Sequence, residues 1–274
     1  MVRIEDETSR RRMLGLLAGV GTAFALGCAG SVADEGAGEV GGASDGGGGS
    51  GGGANGSGGG ATSATGGSAT CTASPEGEIG PYFADDSDPR FNRSDVRSNL
   101  DGSNTQGGVP FALTIRIVDA ENGCAPYANA QVDIWHCSAD GIYSDEGVED
   151  TTTEQWLRGF QLTGADGSVT FTTIIPGWYQ GRTTHIHVRV RSTYSDASST
   201  TDGANTTQVF FAQGVIDSIY TSVAPYSAKG LNTTTNASDH VYTGEEHGAN
   251  ELTLTGSAAA GFAASCVIGL PIGG

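Results

Sequence analysis

Positive charge is scarce in this chain of 274 residues: 13 Lys and Arg stand against 31 Asp and Glu, a formal net charge of −18. A surface of that sign repels phosphate backbones and argues against nucleic acid as a partner. Cysteine is sparse too, five in all, and no two are spaced Cys-x-x-Cys, which removes the zinc sites built on such pairs. No long hydrophobic run exists. The one modestly apolar stretch, residues 13–26, is too short and too rich in Gly and Ala to span a bilayer. No internal repeat is evident.

That stretch follows Ser9-Arg10-Arg11-Arg12 and ends at Leu26-Gly27-Cys28, so residues 1–27 read as an export signal. Ser-Arg-Arg-Arg-Met-Leu resembles a twin-arginine signal, and Leu26-Gly27-Cys28 resembles a lipoprotein cleavage box whose Cys is acylated. The expected location is the cell envelope, on its periplasmic or extracellular face, with membrane contact only through an N-terminal lipid. An ordinary cleaved signal with an incidental Cys28 is the alternative. Cleavage before Cys28 removes four Arg and three acidic residues, leaving 9 basic against 28 acidic, a net −19. Residues 28–70 are almost wholly Gly, Ser, Ala and Thr. They cannot bury a core and form a flexible tether reaching roughly 35 Å.

Residues 71–274 suffice for one domain with a substantial core. They hold Cys71, Cys124, Cys137 and Cys266, an even count that suggests disulfides outside the cytoplasm. The expected pairing is Cys124–Cys137 near the ends of a hairpin, with Cys71–Cys266 tying the domain termini. Strands dominate. Residues 111–117 alternate cleanly, as do 132–137, and residues 169–175, 207–211 and 251–255 add three more. Turns such as Glu121-Asn122-Gly123 and Ala165-Asp166-Gly167 punctuate them. The pattern predicts an all-β sandwich, with a short helix only over 215–223.

The chemistry concentrates in Pro176-Gly177-Trp178-Tyr179-Gln180-Gly181-Arg182-Thr183-Thr184-His185-Ile186-His187. After His185, Ile186, Val188 and Val190 alternate with His187 and Arg189, which predicts a half-buried strand with both imidazoles on one face. Two residues along a strand span about 6.6 Å, and two imidazoles leaning together close that onto one metal. Upstream, Val132-Asp133-Ile134-Trp135-His136-Cys137 runs through a turn to Tyr143.

Together with Gly80-Pro81-Tyr82-Phe83, Leu157-Arg158-Gly159-Phe160 and the Gly164-Ala165-Asp166-Gly167 turn, these segments resemble the intradiol ring-cleavage dioxygenase family. The resemblance runs from about Gly80 to about Phe211 and implies an immunoglobulin-like β-sandwich with long loops. It implies one non-haem ferric ion per chain, held by Tyr143, Tyr179, His185 and His187, of which Tyr179 and His187 are axial. It also implies that Arg182 stabilises anionic character, that Gln208 orients an oxygen, and that both atoms of O2 enter a catecholic ring to give a cis,cis-muconate-type diacid. Homo-oligomers of several sizes occur in the family, so the assembly stays open.

The residue types support that reading independently. A phenol ordinarily titrates near ~10, so tyrosinate forms at neutral pH only beside a strongly acidic cation such as Fe(III). Two phenolates and a hydroxide balance three positive charges, which avoids burying net charge. A catechol can then hand protons to the hydroxide and to Tyr179, whose place between Gly177 and Gly181 gives it room to swing. Blander readings stand beside these: Tyr143 as a strand-end tyrosine in water, Tyr179 and the His pair as loop and surface groups, Arg182 as a cap or surface charge, Gln208 as a strand polar group. His136 reads as a hydrogen-bonded structural histidine, His240 and His247 as exposed, and Trp178 as pocket wall or ordinary packing. The alternative function is a non-catalytic metal-binding or structural envelope lipoprotein that retains the fold.

Overall fold

Phe111, Leu113, Ile115 and Ile117 alternate along β1 (Pro110–Asp119) and are each at most 2 % exposed, while Arg116 on the opposite face is exposed. That alternation builds one face of a two-sheet sandwich in a computed structural model that describes residues 71–84, 88–191, 205–245 and 249–272. The export signal and the tether lie outside the described residues, as does His247. In the first sheet, β1 pairs with β2 (Ala125–Pro126) and β5 (Ser168–Ile174), both antiparallel. On its other side it pairs in parallel with β10 (Gly261–Leu270), which carries β9 (Thr255–Ser257). The second sheet runs β4 (Arg158–Leu162), β3 (Gln131–Trp135), β6 (His185–Arg191), β7 (Asn205–Phe211), β8 (Glu251–Leu252). Val132, Ile134, Ile186, Val188, Val190 and Val209 project from the second sheet into the core shared with β1 and β5. Phe111 meets Phe211 across the layers with ring centroids 5.6 Å apart.

Three expectations change. The strand after His185 is buried on both faces rather than one, because residues 78–84 lie over the second sheet: Phe83 packs edge-on to Trp135 at 5.1 Å and under the Arg189 guanidinium at 5.0 Å. The strand expected over 251–255 is two short strands, β8 pairing in one sheet and β9 in the other, so the chain crosses between layers at Thr253 and Leu254. The helix begins slightly earlier than expected, as α1 (Gln213–Ser222), and buries Ile216, Ile219 and Tyr220.

The disulfide also differs. Cys71 bonds Cys124, with Cα atoms 5.8 Å apart, and neither Cys124–Cys137 nor Cys71–Cys266 forms. The hairpin that motivated the first pairing does not exist, since β2 and β3 belong to different sheets. The chain near Ser74 runs beside β10, where its N–H donates to Gly269 O at 2.9 Å, and this brings Cys71 to the turn after β1. Cys137 is instead buried, its thiol donating to Gly177 O at 3.5 Å and pushed up to about 12 by burial. Closing a loop of 53 residues' separation predicts that Cys71→Ser lowers stability by up to about 4 kcal/mol on the chain-entropy account, which urea unfolding of the wild type and the variant would measure.

Candidate metal centre

Sheet register assembles one side of the site. His187 lies opposite Trp135 on β3 and opposite Gln208 on β7, and His185 lies opposite Phe210. Period two then puts both imidazoles on the face away from the core, where their Nε2 atoms stand 3.1 Å apart. Each ring is fixed from behind. His185 Nδ1 lies 2.7 Å from Thr183 O, which makes Nδ1 the protonated nitrogen and leaves Nε2 a lone pair. His187 stacks on Trp135 with centroids 4.7 Å apart and planes 3° from parallel.

Two loops bring the phenols. Tyr179 Oη lies 3.4 Å from His185 Nε2, and the Tyr143 ring stands edge-on to Tyr179 at 5.7 Å. The structure therefore gathers Tyr143, Tyr179, His185 and His187 in one place, and the reading of Tyr143 as a solvent-exposed strand end is set aside, since it is 3 % exposed. The loops are zipped together. Gly177 N–H donates to Ser138 O at 3.0 Å, and a Cβ at Gly177 would lie 2.2 Å from Ala139 O. A Cβ at Gly141, whose φ is +83°, would lie 1.9 Å from Trp178 O. Lys229 Nζ donates to both Asp140 O and Trp178 O at 2.7 Å and sits over the Trp178 ring. Gly177 thus serves close packing rather than a swinging loop, so movement of Tyr179 falls to side-chain rotation and to the Gly181 side, where the backbone meets open space.

Burial sets the protonation states. It raises the Tyr143 and Tyr179 phenols above their ordinary value, lowers His185 to about 3, and lowers His187 well below the imidazole range. Without metal the cluster is four neutral groups, and two of its buried polar atoms, Tyr143 Oη and His187 Nδ1, have no hydrogen-bond partner. Unpartnered buried polar atoms cost free energy, and a cation among these donors would offset it for the phenol. Two imidazole nitrogens and two phenol oxygens form a mixed, hard-leaning donor set suited to ferric iron. Among the described residues no three His, Cys, Asp or Glu side chains are placed to hold a metal, so a metal here requires the phenols.

Arg182 is buried and ion-paired rather than a surface charge. Its Nε donates to Asp239 Oδ2 at 2.9 Å, its Nη2 donates to Gln208 Oε1 at 2.6 Å, and its Nη1 lies 3.8 Å from Glu78 Oε1. Its charge opposes the burial effect on Tyr179. Gln208 also donates weakly to Glu78 O, at 3.4 Å. Sequence reasoning did not find Asp239, Glu78 or Lys229, which belong to no motif. Tyr82, noted only within the entry segment, stacks on Tyr143 at 4.2 Å and stands edge-on to Tyr179 at 5.5 Å.

The two other described histidines, His136 and His240, match their plain readings. His136 is fully buried, with Nε2 2.7 Å from Thr173 Oγ1 and Nδ1 2.9 Å from Cys137 O. His240 is mostly exposed beside Glu78. Burial lowers His136 to about 4, so its neutral form is favoured by folding. The unfolded chain takes up this proton first as pH falls, and the stabilisation present above about 6.5 is lost between about 6.5 and about 4, by up to about 3 kcal/mol. Urea unfolding of the metal-free protein at pH 7 and pH 4.5 should show this loss together with that from His185 and His187, and His136→Gln should lessen it by the His136 share.

Comparison with known proteins comes to the same region. A family model described as Dioxygenase matches residues 79–197, which include Tyr143, Tyr179, Arg182, His185 and His187 and stop short of Gln208 and Asp239. No curated protein sequence matches the chain. Among solved structures, an intradiol ring-cleavage dioxygenase from Tetranychus urticae is similar at 26 % identity and a TM-score of 0.61, covering 74 % of this chain and 96 % of that one. The dioxygenase Tetur07g02040 is similar at 26 % identity and a TM-score of 0.59 over the same shares of each chain.

Proposed function

We propose that this chain is an enzyme of the intradiol ring-cleavage dioxygenase family and acts as a non-haem Fe(III)-dependent dioxygenase on a catecholic substrate. The observation that carries the reading is the buried meeting of two phenols with two imidazoles, one phenol oxygen lacking any hydrogen-bond partner. Tyr143, Tyr179, His185 and His187 would hold the ion. When bound, ferric iron supplies the Lewis acidity that keeps tyrosinate and catecholate deprotonated at neutral pH and brings the ring into reaction with O2.

The protein's own groups do the rest. Tyr179, less buried than Tyr143 and hinged at Gly181, accepts a catechol proton at Oη and rotates aside. Tyr143 stays, clamped by Tyr82 above and by its backbone carbonyl, which accepts from Thr151 Oγ1 at 2.6 Å. Thr183 O keeps His185 in one tautomer. Arg182 stabilises negative charge developing on the substrate, and Gln208, bonded to it, holds the guanidinium and can orient an oxygen. Residues 78–84 and Trp135 exclude water from the buried side.

We further propose that residues 1–27 export the protein and residues 28–70 tether it to the envelope. The Cys71–Cys124 bond supports this, because such bonds persist in oxidising compartments. Mass spectrometry of the mature N-terminus, for a diacylglyceryl group on Cys28, tests it.

Turnover of catechol under ¹⁸O₂ tests the enzymatic reading: a cis,cis-muconate-type diacid carrying two labelled oxygens is expected, and a product with one label or none overturns it. Tyr179→Phe should hold iron more weakly than the wild type and, assayed with excess iron present, should turn over roughly 100-fold more slowly, the usual scale for loss of a positioned base. Unchanged kinetics would remove its role in proton transfer.

A further inference from the structure

Asp239 is fully buried, yet its carboxylate has no donor to balance and four to accept from. Oδ2 accepts from Arg182 Nε at 2.9 Å and from Thr183 N–H at 2.8 Å. Oδ1 accepts from Val241 N–H at 3.0 Å and Tyr242 N–H at 2.9 Å. Only an ionised carboxylate satisfies four donors with two oxygens; an amide would turn an NH2 toward one of the pairs. Burial alone would raise this carboxyl, and Arg182 with the backbone N–H groups holds it below its ordinary value instead. Asp239 grips Arg182 and the residue after it, two positions before His185, from a turn more than fifty residues downstream.

The bonds on Arg182 give this grip a direction. Nε is held by Asp239 and Nη2 by Gln208, while Nη1 meets Glu78 only at 3.8 Å, beyond hydrogen-bond length. A guanidinium fixed at two nitrogens has one orientation left, and its remaining nitrogen, Nη1, is left without a hydrogen bond of its own. Without Asp239 the charge would stay, but its direction would be set by Gln208 alone.

We propose that Asp239 is the positioning residue of Arg182, fixing the guanidinium so that Nη1 is presented to the oxyanion of a bound catechol. This rests on the reading of the chain as a catechol dioxygenase. Asp239 touches neither the phenols nor the imidazoles; its second contact, to Thr183 N–H, reaches His185 through Thr183 O, and loss by that route would show as lost iron or an altered tyrosinate-to-iron band rather than as a fall in kcat alone.

The test is a double-mutant cycle on the iron-loaded and the metal-free protein, with Asp239→Asn, Arg182→Met and the pair together. Asp239→Asn is expected to keep its iron and its tyrosinate-to-iron absorption. Its kcat should fall roughly 100-fold, on the scale of one lost transition-state donor, with KM for catechol changed less than threefold. The double variant should turn over no more slowly than Arg182→Met. In the metal-free protein, Asp239→Asn should melt several degrees lower, and the double variant above it, because the unpaired buried cation has gone. Multiplicative losses in kcat across the cycle, or an Asp239→Asn enzyme with wild-type kcat, overturn the proposal. A wild type that cleaves no catechol overturns the enzymatic reading instead, and the melting cycle then still decides whether Asp239 and Arg182 act as one unit.

Discussion

Tyr143→Phe should give a protein that folds at least as well as the wild type when metal-free and holds no iron. The two halves come from one atom. Tyr143 Oη is buried with no hydrogen-bond partner, so deleting it removes a desolvation cost of about 1 kcal/mol or more and leaves a ring of the same shape stacked on Tyr82 at 4.2 Å. The same deletion takes away an anionic ligand. Changes beyond the ligands already weaken metal binding 10–100-fold, so losing a phenolate should cost more than ~100-fold and leave no iron after dialysis. Metal analysis and a thermal melt of the dialysed variant check both. Iron at the wild-type level would defeat the assignment of Tyr143, and a metal-free variant much less stable than the wild type would show that its hydroxyl has a structural partner.

Arg182→Ala should separate chemistry from metal binding. Arg182 touches none of the four donors through a hydrogen bond, so iron content and colour should persist while kcat falls by roughly 10²–10³, the scale for removing a charged or hydrogen-bonding stabiliser of a developing anion. A second effect accompanies it. The substitution strands the Asp239 carboxylate, fully buried and without its cation, and breaking a buried pair from one side costs about 3–5 kcal/mol. The assay must therefore be run well below the lowered melting temperature. A variant with wild-type turnover would return Arg182 to a purely structural role.

Much of this site was legible because it is local. The alternation after His185 placed both imidazoles on one face, and Tyr179, Arg182, His185 and His187 fall within nine residues of one loop and strand, as the structure shows. The alternation of Phe111, Leu113, Ile115 and Ile117 likewise gave the inward face of β1. What was not legible depends on chain crossings. Burial of the second face of β6 comes from residues 78–84, about a hundred positions upstream, and no periodicity within β6 reports a covering segment. The Cys71–Cys124 bond needs the knowledge that β1 and β10 pair in parallel and bring residue 74 beside residue 269. Asp239 carried no signal at all, an acid in a polar turn region whose partner lies 57 residues away. Gly177 suggested room for Tyr179 to swing and instead packs against Ala139 O, because a flexible loop and a close approach both select glycine.

The most direct test of the four-donor centre is the visible absorption spectrum of the iron-loaded mature domain, taken without oxygen before and after adding catechol. Phenolates on ferric iron give a red to purple charge-transfer band, and the account predicts that band in the resting protein and its shift on catechol addition. A colourless protein that takes up ferric iron stoichiometrically, or a band indifferent to catechol, would contradict it.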